Sequence, residues 1–168
     1  NQREVDNASI IERSWRVRAK KVIIATGAIE RSLVFANNDR PGVMLASAVH
    51  TFVNRYAVKV GDDLVLFTNN DSVYDYIDAL RKAGINILAI IDSRKIIPDQ
   101  CLSRSKKIKV IANSIIKNVN GYKQVKSIVV QSLDTGKFET ISCDLLAHSG
   151  GVESGGSLAF AIQGFFKV

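Results

Sequence analysis

The stretch DLVLFTNNDSVYDYIDALRKAGINILAIID, Asp63 to Asp92, decides the fold. Asp63 to Thr68 is a short run of β-type residues that is apolar on both faces of an extended chain, as a strand covered on both sides requires. Asn69 to Ser72 is a polar turn. From Val73 to Ala83 the residues Val73, Ile77 and Leu80 recur at helical spacing. Ser72 with Asp75 fits a capping box, and Gly84 suits a C-terminal cap. Ile85 to Ile91 is a second buried-type strand, closed by Asp92-Ser93-Arg94. Strand, turn, helix and strand in so short a span form a βαβ unit, with parallel strands and a right-handed crossover.

Working outward, Leu45, Ala48, Val49, Phe52, Val53 and Tyr56 form one apolar stripe, which predicts an amphipathic helix over Met44 to Tyr56. Asn37 to Gly42 gathers turn formers and a proline, as a loop does. Before it, KVIIA (Lys21 to Ala25) reads as a buried strand that stops at Thr26-Gly27, and Ile10 to Val17 as a half-exposed one. Downstream, Ile108 to Ala112, Ser114 to Val119, Gln124 to Ser132 and Lys137 to Ile141 are short β-type runs. Asn120-Gly121-Tyr122 and Asp134-Thr135-Gly136 between them are hairpin signals, so a three-stranded meander follows the βαβ unit. Cys143 to His148 makes one last buried strand, ending in Ser149-Gly150-Gly151. The fold class is α/β, a parallel βαβ sheet that carries a three-stranded antiparallel β-meander.

Composition agrees with one core. The 168 residues are 46% hydrophobic and 23% charged, enough apolar material to exclude disorder over most of the chain. Two cysteines, Cys101 and Cys143, with no C-x-x-C pair, argue against a disulfide scaffold or a zinc ribbon and favour a reducing, cytoplasmic setting. The net charge of +7 is scattered, and its densest cluster (Arg104, Lys106, Lys107, Lys109) reads as a solvated loop, so no nucleic-acid partner is expected. No apolar run approaches the ~20 residues that span a bilayer, and no membrane association is expected. The absence of an initiator Met before Asn1 and the apolar end Phe165-Phe166-Lys167-Val168 suggest a piece of a longer polypeptide.

Ligands of open α/β sheets bind at the carboxyl ends of the strands. Four strand ends therefore hold the candidate binding residues. The first βα turn, where glycines usually admit a pyrophosphate, here reads Thr68-Asn69-Asn70-Asp71-Ser72-Val73; the Asn70 and Asp71 side chains would obstruct a phosphate. A structural turn and a modified nucleotide-facing turn are both open readings. Asp92 stands where an acid bonds a ribose hydroxyl. Ala25-Thr26-Gly27-Ala28 offers a hydroxyl and a sharp turn at a strand exit, and Gly150-Gly151 repeats the signal at another. His148, at the end of a buried strand, has no recognisable nucleophile beside it, and His50 lies on a helix face; a structural role is favoured for both. No catalytic residue and no metal-ligand spacing is evident.

VRAKKVIIATGAIERSLVFANNDRPGVMLASAV (Val17 to Val49), DLVLFTNNDSVYDYIDALRKAG (Asp63 to Gly84) and CDLLAHSGG (Cys143 to Gly151) closely resemble the alpha subunits of heterotetrameric sarcosine oxidases. The likeness runs from about Ile11 to Gly151, and the TNNDS and ATGAIER stretches are its more specific parts. Less closely, the same region is similar to the two-domain pyridine nucleotide oxidoreductases and to the large subunits of opine oxidases, a likeness that implies a Rossmann-like FAD/NAD(P)-binding fold. The resemblance implies oxidative demethylation of sarcosine by a complex of alpha, beta, gamma and delta subunits, with an amine substrate and FAD on the beta subunit. It further implies FMN between alpha and beta, tetrahydrofolate as one-carbon acceptor, and NAD on the alpha subunit. Ala25 to Ala28, with Ala147, Gly150 and Gly151, match family segments that border the dinucleotide. The family's glycine-rich fingerprint is expected before residue 1, the segment Val152 to Gly156 lacks the family's Trp and Pro, and Ser32 replaces a proline. The implied organisation is a remnant of a first nucleotide-binding domain (1–42), an inserted second Rossmann-like domain with its meander (43–142) and a return segment (143–168). The alternatives are a non-catalytic scaffold and a subunit of a related opine or amine oxidase.

Overall fold

The computed structural model describes residues 14–23, 25 and 27–154. Their elements in chain order are β1 (Ala28–Glu30), β2 (Val43–Leu45), α1 (Ala46–Tyr56), β3 (Asp63–Thr68), α2 (Ser72–Lys82), β4 (Asn86–Asp92), α3 (Asp99–Arg104) and β5 (Lys109–Ile111). Then come β6 (Ser114–Gly121), β7 (Val125–Ser132), β8 (Phe138–Ser142), β9 (Leu145–Ser149) and β10 (Val152–Ser154). A five-stranded sheet in the order β2-β9-β3-β4-β5 has every neighbouring pair parallel. The strands β6, β7 and β8 form the antiparallel meander, and β1 pairs antiparallel with β10.

Alternation along β3 explains the layering. Leu64 and Leu66 point into a core with Ala46 and Val49 of α1 and with Val73, Ile77 and Leu80 of α2. Val65 and Phe67 point the other way, into a core with Val119, Val125, Ile128 and Val130 of the meander region. A strand covered on both faces must be apolar at every position, and DLVLFT is apolar throughout its middle. In β4 the alternation slips. The register with β3 shifts between Leu64 and Val65, which pair with Ile87 and Ala89, so Leu88 is the extra residue of a bulge. Leu88 and Ala89 accordingly both pack on the meander side.

The parallel βαβ unit, the helix over the Val73 region, the meander and the last buried strand are present as the sequence predicts. Four expectations need correction. Met44 and Leu45 do not open the helix but form β2, because their backbone pairs with Ala147 and His148 of β9; cross-sheet hydrogen bonds outweigh the helical stripe. The stripe is also narrower than it reads, for Phe52 is 39% and Tyr56 58% exposed. Of KVIIA, Lys21 to Ile23 and Ala25 are irregular and exposed, and among the described residues no strand pairs with them, so they lack the ladder a strand needs; Ile24 lies outside the described residues. Of the strand expected over Ile10 to Val17, residues 14–17 are irregular and exposed, and the rest lies outside the described residues.

The fourth correction is the capping box. Asp71, not Ser72, occupies the N-cap position of α2 and makes no side-chain cap. Asn70 takes that work instead, its Oδ1 accepting from the Ser72 N–H at 2.9 Å and the Ser72 hydroxyl at 2.6 Å. Asp75 is drawn away to Arg104 of α3. The short α3 and the docking of β5 beside β4 were not marked by periodicity, since neither is long enough to show a full repeat.

Candidate functional site

Strands β3, β4 and β9 end side by side in Thr68, Asp92 and Ser149, three polar residues that are completely buried. Beyond β3 the chain turns into α2 towards β4, whereas beyond β9 it leaves through Gly150-Gly151 towards β10, so the onward connections diverge between two adjacent parallel strands. Such a divergence is where ligands of open α/β sheets bind.

The β3–α2 turn is held by its own side chains. The Thr68 hydroxyl accepts from the Asn70 N–H and donates to the Asn70 carbonyl, both at 3.0 Å. Asn70 then reaches across to β9, its Nδ2 donating to the Ser149 carbonyl at 3.1 Å, and it also meets the Asn69 side chain. Ser72 and Ser149 hydroxyls lie 3.1 Å apart. In a glycine-rich turn these positions would be bare backbone; here asparagine amides supply the hydrogen bonds. Gly151 adopts φ +89°, a conformation that favours glycine, and a Cβ there would sit 3.8 Å from Asn70 Nδ2. Gly150 is confined differently, since a Cβ would come within 3.0 Å of the Arg31 carbonyl.

Asp92 is the hub at the end of β4. Its Oδ2 accepts from the Tyr74 hydroxyl at 2.9 Å and from Arg94 Nη2 at 2.8 Å, while Oδ1 accepts from the Arg94 N–H and Nε, both at 3.0 Å. These four bonds fill the acceptor positions of a carboxylate. Arg94 also donates to the Asn70 carbonyl at 3.2 Å and, through Nη1, to Asp71 at 2.6 Å. The hydrogen bond from Arg94 holds the Asp71 carboxyl below its usual range, with the Cys101 thiol adding to the effect. The hydrogen bond to Asp92 raises the already high pKa of Arg94. Burial first, and then Asp92, push the Tyr74 phenol up.

The remaining sequence-predicted residues lie elsewhere. Ala147 is fully buried in the helix-side core, two residues short of the strand end. Ala25, Gly27 and Ala28 are exposed, and Ala28 stands opposite Ser154 in the β1–β10 ribbon. Thr26 lies outside the described residues. Four participants were missed by sequence reading: Arg94, Tyr74, Ser149 and Glu30. An arginine two residues beyond a strand-end acid was the available signal for the first. Glu30 is buried, and its Oε2 accepts from the Ser47 N–H at 2.9 Å and hydroxyl at 2.6 Å, placing a carboxylate on the positive end of α1.

The histidines have packing partners. His50 stacks on Tyr76 with ring centroids 4.5 Å apart. His148 meets Phe35 edge-on at 5.3 Å and accepts from the Leu33 N–H through Nδ1 at 3.2 Å. Both cysteines are buried, and burial, chiefly, pushes the Cys143 thiol up to about 12, which suits a small apolar packing residue. Among the described residues no cluster of three or more His, Cys, Asp or Glu is arranged to hold a metal ion, and no helix is long and apolar enough to cross a membrane.

Comparison with known proteins agrees with this architecture. No family model matches the chain. Its sequence is 40% identical over 143 residues to the sarcosine oxidase subunit alpha of Rhizobium meliloti (strain 1021), covering 85% of this chain and 14% of that protein. The sarcosine oxidase subunit alpha of Corynebacterium sp. (strain U-96) is 37% identical over 147 residues, covering 83% of this chain and 15% of its own length. The chain thus spans only a small part of these relatives. Among solved structures, the thioredoxin reductase of Giardia duodenalis superposes with a TM-score of 0.64 at 21% identity, over 78% of this chain and 43% of that one. A FAD-dependent pyridine nucleotide-disulphide oxidoreductase from Desulfovibrio vulgaris gives 0.60 at 16% identity, over 86% and 38%. At such identities the structures speak for the fold, that of FAD- and NAD(P)-binding oxidoreductases. Over the residues matched, the chain is similar to one part of the sarcosine oxidase alpha subunits.

Proposed function

We propose that this chain is the dinucleotide-facing domain of an amine oxidoreductase subunit of the sarcosine oxidase type, with NAD lying across the ends of β3, β4 and β9. The observation that carries the reading is the divergence of connections beyond Thr68 and Ser149, two adjacent parallel strand ends, with an acid, Asp92, closing the next strand. The turn Thr68-Asn69-Asn70 and the glycines Gly150 and Gly151 would border the phosphates. Asp92 shapes the ribose end through Arg94. Ala25 to Ala28 and Ala147 complete the set that the family likeness suggests, the last from within the core. Bound NAD would supply hydride chemistry; this chain's residues would bind and orient it.

The domain division 1–42, 43–142 and 143–168 belongs to the same proposal. So do the partners: beta, gamma and delta subunits, with FAD, FMN and tetrahydrofolate in the complete complex, acting in the cytoplasm on sarcosine or a related amine. The names of the curated relatives support the oxidoreductase class and its subunit organisation.

A second reading, an assembly module without a nucleotide, is favoured by Asn70, whose side chain ties the turn to Ser149 where a glycine would leave space. Calorimetric titration of the full-length polypeptide with NAD separates the two. Saturable micromolar binding is expected. An absence of heat under conditions where the polypeptide is folded would leave the assembly reading in possession.

A further inference from the structure

We propose that Asp71, rather than the strand-end acid Asp92, is the group that receives the ribose hydroxyl of a bound dinucleotide, and that by holding Arg94 it also rejects a 2′-phosphate. This rests on the dinucleotide reading above and names the residue that chooses between the two forms of the cofactor.

Three observations lead there. Asp92 is wholly buried, and its acceptor positions are taken by the Tyr74 hydroxyl and by Arg94, so no lone pair faces outward. The Asp71 side chain is 43% exposed, lies in the β3–α2 turn beside the end of β4, and is aimed by a 2.6 Å hydrogen bond from Arg94 Nη1. It is the carboxylate of this cluster that a ligand hydroxyl can reach. Arg94, itself 25% exposed, stands where an arginine in this fold class accommodates a 2′-phosphate. Its guanidinium is already spent on Asp92, Asn70 and Asp71. Two carboxylates against one guanidinium leave the cluster with an excess of negative charge. A free hydroxyl, a donor, meets an acceptor there; a phosphate, doubly charged and an acceptor only, meets repulsion.

The test is a calorimetric comparison of NAD and NADP on the full-length polypeptide, as wild type, Asp71→Asn, Asp71→Ser and the double variant Asp71→Ser/Arg94→Met. Wild type is expected to bind NAD more tightly than NADP. Both single variants are expected to weaken NAD and strengthen NADP, lowering the ratio of their dissociation constants at least about tenfold, the scale of one charge-assisted hydrogen bond gained or lost. The double variant is expected to lose the gain for NADP, because the freed guanidinium is gone. A ratio unchanged in both single variants, with NAD binding intact, overturns this inference and leaves the dinucleotide reading standing; so does wild-type binding of NADP as tight as that of NAD. A wild type that binds neither overturns both.

Discussion

His148 shows how a residue that looks chemical becomes structural. Its ring sits one residue before the end of a buried strand, lies edge-on to Phe35, and accepts the Leu33 N–H through Nδ1, so the neutral ring carries its proton on Nε2. Burial lowers its pKa, with the nearby Glu30 carboxylate opposing. In the unfolded chain the ring titrates at about 6.5. As pH falls below that value the unfolded state takes up a proton that the folded state resists, so stability present above it is lost on acidification. Urea midpoints at pH 7.5 and 5.5 should therefore fall further for wild type than for His148→Gln; equal falls would remove this account. The sequence marked His148 as a strand-end histidine beside glycines, but its fate depends on Leu33 and Phe35, more than a hundred positions earlier, which periodicity does not connect to it.

At the scale of elements, local pattern and observed structure agree best where a run is apolar on both faces or where a turn dictates its residues. DLVLFT is β3 to the residue, and Asp134-Thr135-Gly136 lies between β7 and β8, whereas the first hairpin turns later than expected, with Asn120 and Gly121 still paired in β6. Gly121 is required there: its φ is +140°, and a Cβ would lie 2.0 Å from the Gln124 carbonyl oxygen. Gly121→Ala should cost about 1–3 kcal/mol through backbone strain, read as a lowered urea midpoint. An unshifted midpoint would mean that the hairpin relaxes freely. Agreement fails where an element answers to distant partners. Val43–Leu45 is too short to show a period, and only its pairing with β9 makes it a strand. The bulge at Leu88 is equally invisible, because NILAII is apolar throughout and a slipped register leaves no trace in such a run.

For the whole molecule, the parallel sheet is a shared wall between a helix layer and a meander layer, with β3 and β9 contributing to both cores. Damage on one side should be felt on the other. Ile128→Ala, in β7, removes a fully buried side chain and should cost about 2–5 kcal/mol. Hydrogen exchange followed by mass spectrometry is expected to accelerate in β3 and β9 as well as in β6 to β8; acceleration confined to the meander would show that the layers open independently.

The sequence by itself determined the βαβ unit, the meander and the polar composition of the strand ends, because hydrophobic period and turn chemistry are local and survive without knowledge of partners. Tertiary structure alone decided that β9 inserts between β2 and β3, and that Asp92 is consumed by Tyr74 and Arg94 while Asp71 remains accessible. Those outcomes turn on competition for hydrogen bonds among groups far apart in the chain. Such competition exists only once folding has brought the groups together.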